Sequence, residues 1–126
     1  VSVAIDKVHD FLTTVKSRVY SLNPNSETLT VSHLGDGNLH FTVWMEPKTK
    51  GMGTLEDREK VTEVIEETVL ELGGSFSAEH GIGLAKLSSM SRRKDPNAIE
   101  VMRSIKMALD PNNIMNPGKV IPARLS

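Results

Sequence analysis

Residues 28–45 read TLTVSHLGDGNLHFTVWM, and the way this stretch is divided decides the fold. Thr28–His33 alternates and is rich in β-branched residues, which reads as a strand. Leu39–Met45 reads as its partner. Gly35-Asp36-Gly37-Asn38 between them is a turn signal, so the stretch is a hairpin turning around Asp36-Gly37. Upstream, apolar residues recur at Ile5, Val8, Phe11, Leu12, Val15, Val19 and Leu22, which is helical spacing. Asn23-Pro24-Asn25-Ser26 stops that helix. Val1–Ala4 reads as the end of a strand. Downstream, Pro47–Gly53 reads as a loop, and Thr54 with Asp57 marks a helix start. Leu55, Val61, Val64, Ile65, Val69 and Leu72 line one face of that helix, and Gly73-Gly74 ends it. Ser75–Ala78 reads as a short strand. Leu84–Ser91 reads as a helix. Pro96–Leu109 follows as another, with Asp95 as cap, Pro96 at the first helical position and Ile99, Met102, Ile105 and Leu109 inward.

The order is β-α-β-β-α-β-α-α. It predicts an α+β, ferredoxin-like split β-α-β antiparallel sheet with helices on one face, its first strand truncated, plus C-terminal helices. The truncated strand and the absence of a starting Met suggest a piece of something longer. At 126 residues and 13.8 kDa, one domain spanning 1–126 is expected. There is no Cys, which excludes disulfides and thiolate metal sites. No apolar run is long enough to span a membrane, and no signal pattern opens the chain.

The net charge of -1 gives no electrostatic case for nucleic acid. That average hides an asymmetry. Residues 1–80 hold 7 Lys+Arg against 13 Asp+Glu, and residues 81–126 hold 8 against 3. The basic tail is either a solvated face or a surface for an anionic ligand or acidic domain.

Three of the four His sit in two glycine-rich segments. In the first, a turn at Asp36-Gly37 would set His33 and His40 facing each other, with Cβ atoms about 4.5–5.5 Å apart. Two imidazoles so placed can both reach one divalent ion at about 2.0–2.1 Å. Asp36 could hydrogen-bond an imidazole and fix its tautomer. The plain alternative is a hairpin with two exposed His. The second segment is Glu79-His80-Gly81-Ile82-Gly83. Glu79 is a candidate third ligand, and His80 beside it a candidate general base. The alternative there is a glycine-rich helix entry with an exposed Glu-His pair. His9 reads as surface, and Trp44 and Phe41 as core. Lys86 is either a solvated charge or aimed at an anion near Gly81–Gly83.

HLGDGNLH (His33–His40), SFSAEHGIG (Ser75–Gly83) with Lys86, and LDPNNIMNPGK (Leu109–Lys119) together resemble the C-terminal domain of FAD-linked oxidases. These are the flavin dehydrogenases of D-2-hydroxy acids, such as D-lactate, glycolate and D-2-hydroxyglutarate. The resemblance covers essentially the whole chain, and its Ser-Ala-Glu-His-Gly form is most similar to the D-2-hydroxyglutarate branch. It implies a substrate-binding cap over a separate FAD-binding domain, absent from this chain, so the chain alone is expected to hold no flavin and to be inactive. It implies that His33, His40 and Glu79 bind a divalent metal, commonly zinc, that holds the carboxylate and hydroxyl of the hydroxy acid. It implies that His80 takes the hydroxyl proton while the α-hydrogen leaves as hydride to FAD. Asn116, in the Asn-Pro-Gly-Lys tail, and Lys86 become cofactor-side candidates.

Hydroxyglutarate enzymes of this type carry Asn two residues after the second metal His. Here Thr42 stands there as the substrate-binding candidate, and its hydroxyl reaches less far, so D-lactate and D-malate stay open. The expected partners are a small 2-hydroxy acid, the FAD-binding domain of the same parent chain, and an electron acceptor that is a protein or a quinone. The expected compartment is intracellular, cytoplasmic or the mitochondrial matrix, and an unpaired strand edge could drive self-association. Two other classes remain. A metal-dependent hydrolase would use the same ligands to activate water. A non-catalytic ferredoxin-like ligand-binding or interaction domain would need none of them.

Overall fold

The hairpin forms, but in a register two residues away from the expected one. The structure, a computed structural model, describes residues 1–46 and 51–124, so residues 47–50 of the expected loop lie outside it. Strand β1, Glu27–His33, pairs antiparallel with β2, Asn38–Trp44. His33 stands opposite Asn38, and His40 stands opposite Val31. The reason lies in the turn. Leu34–Asp36 forms a 3-10 turn, and only Gly37 takes the left-handed conformation, at φ 65°. The loop is therefore centred one residue earlier than Asp36-Gly37. A shift of two residues moves every pairing and leaves every side chain on its face.

The sheet is extended by isolated bridges. Ser2 bridges antiparallel to Asn38 on one side and to Ser75 on the other. The order across the sheet is thus the Ser75 segment, the Ser2 segment, β2, β1, as a split β-α-β arrangement requires. The expected strands Val1–Ala4 and Ser75–Ala78 are reduced to one bridging residue each. After Ala4 the chain enters a 3-10 turn, Ile5–Lys7. After Ser75, its Oγ donates to the Ser77 carbonyl (3.1 Å) and accepts the Ser77 N–H (3.3 Å). That local turn competes with the ladder.

Helix α1, Val8–Leu22, buries Val8, Phe11, Val15 and Val19 at spacings of three and four. Helix α2, Leu55–Glu71, starts with a capping box in which Asp57 N–H donates to Thr54 Oγ1 (3.1 Å) and Thr54 N–H donates to Asp57 Oδ2 (2.8 Å). Leu55, expected inward, is 77% exposed because it opens the first turn. Thr68 is fully buried instead; its hydroxyl donates to Val64 O (2.7 Å) and accepts from Arg18 Nη1 (3.1 Å). Arg18 Nη2 also pairs with Glu71 Oε2 at 2.7 Å, tying α1 to α2. Val3, Phe11, Val15, Leu39, Val43 and Val69 belong to one apolar cluster between the helices and the sheet. Phe41 packs against it edge-on to Phe11. Trp44, also expected there, is half-buried and shares the opposite face with His40 and Thr42.

Two glycines bring this unit's edges together. A Cβ on Gly37 would lie 1.9 Å from the Val3 carbonyl oxygen, and one on Gly74 would lie 2.2 Å from that of Ser2. Gly37 O accepts the Val3 N–H at 3.1 Å.

The chain divides into two compact units, Val1–Ala78 and Glu79–Ser126. The second holds α3, Leu87–Arg93, and α4, Pro96–Leu109. Helix α3 begins three residues later than expected. Helix α4 has the expected start, with Asp95 accepting from the Asn97 N–H (2.8 Å) and Pro96 in the first turn. It buries Ile99, whereas Ile105 and Leu109, expected inward, are 54% and 77% exposed. Polar ties hold its C-terminal half instead. Asp110 is buried and accepts from Lys106 Nζ and from the amides of Ile114 (3.0 Å) and Met115 (2.9 Å). Glu100 pairs with both Arg103 and Arg124, which folds the tail back along the helix. Among the described residues, no helix is long and apolar enough to cross a membrane.

Candidate functional site

In the N-terminal unit, β1 and β2 place His33, His40 and Thr42 on the sheet face away from the apolar cluster. His33 and His40 are diagonal neighbours rather than a facing pair. Their rings still meet, with centroids 5.8 Å apart at 71°. Cross-strand diagonals on one face stay within reach of long or aromatic side chains. Thr42, two residues past His40, is exposed on the same face. Asp36, considered from the sequence as a partner for an imidazole, is exposed in the 3-10 turn outside the ladder.

One residue of this face was missed. Asn38 is only 7% exposed, and its Oδ1 has no hydrogen-bond partner among the described residues. It lies directly opposite His33 and two residues before His40. Read as the last letter of a turn signal, it gives no hint of this. Only the observed register reveals it.

The C-terminal unit opens with Glu79 and His80, whose side chains lie together with Glu79 Oε1 3.4 Å from His80 Nε2. Lys86 is the N-cap residue of α3. Asn116 lines a groove of about 600 Å³ between α4 and the tail, together with Arg103, Lys106 and Lys119. Gly83 O accepts the Val120 N–H at 3.2 Å, which joins the Glu79–Gly83 segment to the Asn-Pro-Gly-Lys tail. Val120 sits at φ 62°, a left-handed conformation that costs a non-glycine residue about 1–3 kcal/mol.

The electrostatics of the C-terminal unit centre on Asp110. Lys106, followed by the amides of Met115 and Ile114, holds its carboxyl below the ordinary value of 3.8, against the opposing effect of burial.

The sequence comparisons agree with these motifs. The family described as FAD linked oxidases, C-terminal domain, matches residues 1–120. The chain belongs to that family. Among curated relatives of this FAD-linked oxidase domain is the D-2-hydroxyglutarate dehydrogenase of Stutzerimonas stutzeri (strain A1501), 36% identical over 98% of this chain and 26% of its own length. The mitochondrial D-2-hydroxyglutarate dehydrogenase of Bos taurus is 36% identical over 96% of this chain and 21% of its own length. The probable mitochondrial D-lactate dehydrogenase of Danio rerio is 34% identical over 96% and 24%. The FAD-linked oxidase domain described here therefore spans a fifth to a quarter of the relatives it matches.

The donor chemistry suits a divalent ion: His33 and His40 offer two ring nitrogens on one sheet face, and Glu79 is a carboxylate. These are borderline ligands that suit zinc and its neighbours. Asn38, opposite His33 in the ladder, has a buried acceptor without a partner among the described residues, and ligating imidazoles need an acceptor for their second nitrogen.

Proposed function

We propose that this chain is the substrate- and metal-binding part of a flavin-dependent dehydrogenase that oxidises a D-2-hydroxy acid to the 2-oxo acid. The single observation that carries the reading is the pair of imidazoles meeting on one sheet face. Family membership and relatives named for D-2-hydroxyglutarate and D-lactate support the substrate class.

In this reading His33, His40 and Glu79 hold the ion, zinc being the first candidate. Glu79 is one peptide bond beyond Ala78, the last residue of the N-terminal unit. It is four residues past Ser75, which is bonded to Ser2 in that unit. When bound, the ion supplies positive charge for the acid's carboxylate and hydroxyl, and FAD supplies the acceptor for an electron pair.

This chain's own residues then position the acid and handle one proton. Oxidation breaks the α-C–H bond, whose electron pair and hydrogen leave together as hydride. It also breaks the O–H bond, whose electrons become the second bond of the new carbonyl. His80 Nε2 takes the hydroxyl proton. Thr42 lies on the histidine face and contacts the far part of the acid; its short hydroxyl suits a small substrate. Lys86 and Asn116 belong to the flavin side. The FAD-binding domain of the same parent chain is the partner, and the relatives named as mitochondrial support an intracellular compartment.

The test is zinc titration of the metal-free chain by calorimetry. About one ion per chain is expected, with binding abolished in the His33→Ala/His40→Ala variant. A folded wild-type chain that takes up no zinc rejects the reading.

A further inference from the structure

Three buried side-chain oxygens lack a hydrogen-bond partner among the described residues: Ser26 Oγ, Thr30 Oγ1 and Asn38 Oδ1. Ser26 precedes β1, and Thr30 shares its face with Phe41 on the apolar side. Asn38 alone among them shares a face with the histidines. A carboxamide oxygen can only accept, and leaving it buried and unpaired costs about 1–3 kcal/mol. That cost is a reason to look for the donor it serves.

The register identifies one. Asn38 and His33 are directly opposed, which sets their Cβ atoms about 4.5–5.5 Å apart. Ser2 bridges Asn38 from the other side, so its side chain is confined between two neighbouring strands. The only interaction of the His33 ring among the described residues is its edge contact with His40. An imidazole that gives one nitrogen to an ion keeps an N–H on the other, and that N–H needs an acceptor. An orphan acceptor thus stands opposite a ring with an unanswered donor.

We propose that Asn38 is a positioning residue for the metal centre: its Oδ1 accepts the outward ring N–H of His33 and so fixes which nitrogen His33 presents to the ion. The proposal rests on the metal reading above. A neutral amide suits the role. It orients the ring without adding a charge that would itself compete for the ion.

The experiment is calorimetric zinc titration of the chain as wild type, Asn38→Leu and Asn38→Asp, with circular dichroism to establish folding. The expected result is a 10–100-fold loss of zinc affinity in Asn38→Leu. Asn38→Asp, which keeps an acceptor oxygen, should stay within a few-fold of wild type. A second readout needs no variant to fold. Long-range proton–nitrogen spectra of the zinc-loaded wild type should show His33 as one tautomer with its N–H protected from exchange. If Asn38→Leu binds zinc as tightly as wild type, or if that N–H exchanges freely, the role of Asn38 is overturned and the metal reading survives. If the folded wild type binds no zinc, both fall together.

Discussion

His40 stands opposite Val31, and His33 stands opposite Asn38, so the two imidazoles meet along a diagonal of the sheet. This pairing has a direct consequence. In a His33→Ala background, Val31→His would set an imidazole straight across from His40. Cβ atoms of such a pair lie about 4.5–5.5 Å apart. We expect His33→Ala to lose zinc affinity by more than about 100-fold and Val31→His to restore part of it. Calorimetry measures both variants, with His9→Ala, on exposed α1 surface, as a neutral control.

Gly37→Ala should destabilise the fold by about 2–4 kcal/mol. Two effects add: a left-handed φ of 65°, and a Cβ meeting the Val3 carbonyl oxygen at 1.9 Å. Urea unfolding measures the loss. Gly35→Ala is the comparison, since a Cβ there meets nothing within 4 Å; its change should be the smaller by far.

Thr54→Ala removes a cap whose loss ordinarily costs about 1 kcal/mol. Hydrogen bonds from the Thr54 backbone and then its side chain hold the Asp57 carboxyl below its ordinary value. The same substitution should therefore raise the Asp57 pKa towards 3.8, its ordinary value, by removing the side-chain bond. Carbon-detected titration of Asp57 follows this directly.

Asp110 gives the stability of the C-terminal unit a pH dependence. Its folded pKa is below the ordinary 3.8, so the unfolded chain binds the proton more readily. The stabilisation is complete above the unfolded value, about 3.9, and is lost as pH falls through the folded one. Urea midpoints compared at pH 7, 5 and 3 should show wild type and Asp110→Asn converging on acidification. A gap between them that is unchanged at pH 3 would contradict the assignment.

A last expectation concerns the flavin. In the proposed function the flavin is bound by a separate domain, so the purified chain is expected to be colourless and to hold no FAD after dialysis. Flavin retained at stoichiometric occupancy would place the cofactor site in this chain.

Much of this protein is written in short stretches of its sequence. The period of Val8, Phe11, Val15 and Val19 specifies α1, and the Thr54–Asp57 box starts α2. Asp95-Pro96 starts α4. These signals act over a turn or two of backbone, so they can be read without knowing what the chain later meets. The two His-containing segments are equally legible, because the chemistry of imidazole and carboxylate belongs to the residues themselves. Other features depend on distant partners. The hairpin register follows from Gly37 meeting Val3, 34 residues earlier, and from a 3-10 turn that a turn signal alone does not distinguish from a tight one. Ile105 and Leu109 have the right spacing for burial, yet both are exposed, while Asp110 beside them is buried and bonded. Asn38 is polar and ends a turn signal, so its sequence suggests exposure. Only the strands on either side bury it, opposite His33 in the register, and leave its oxygen without a partner among the described residues, because burial and pairing depend on the whole fold.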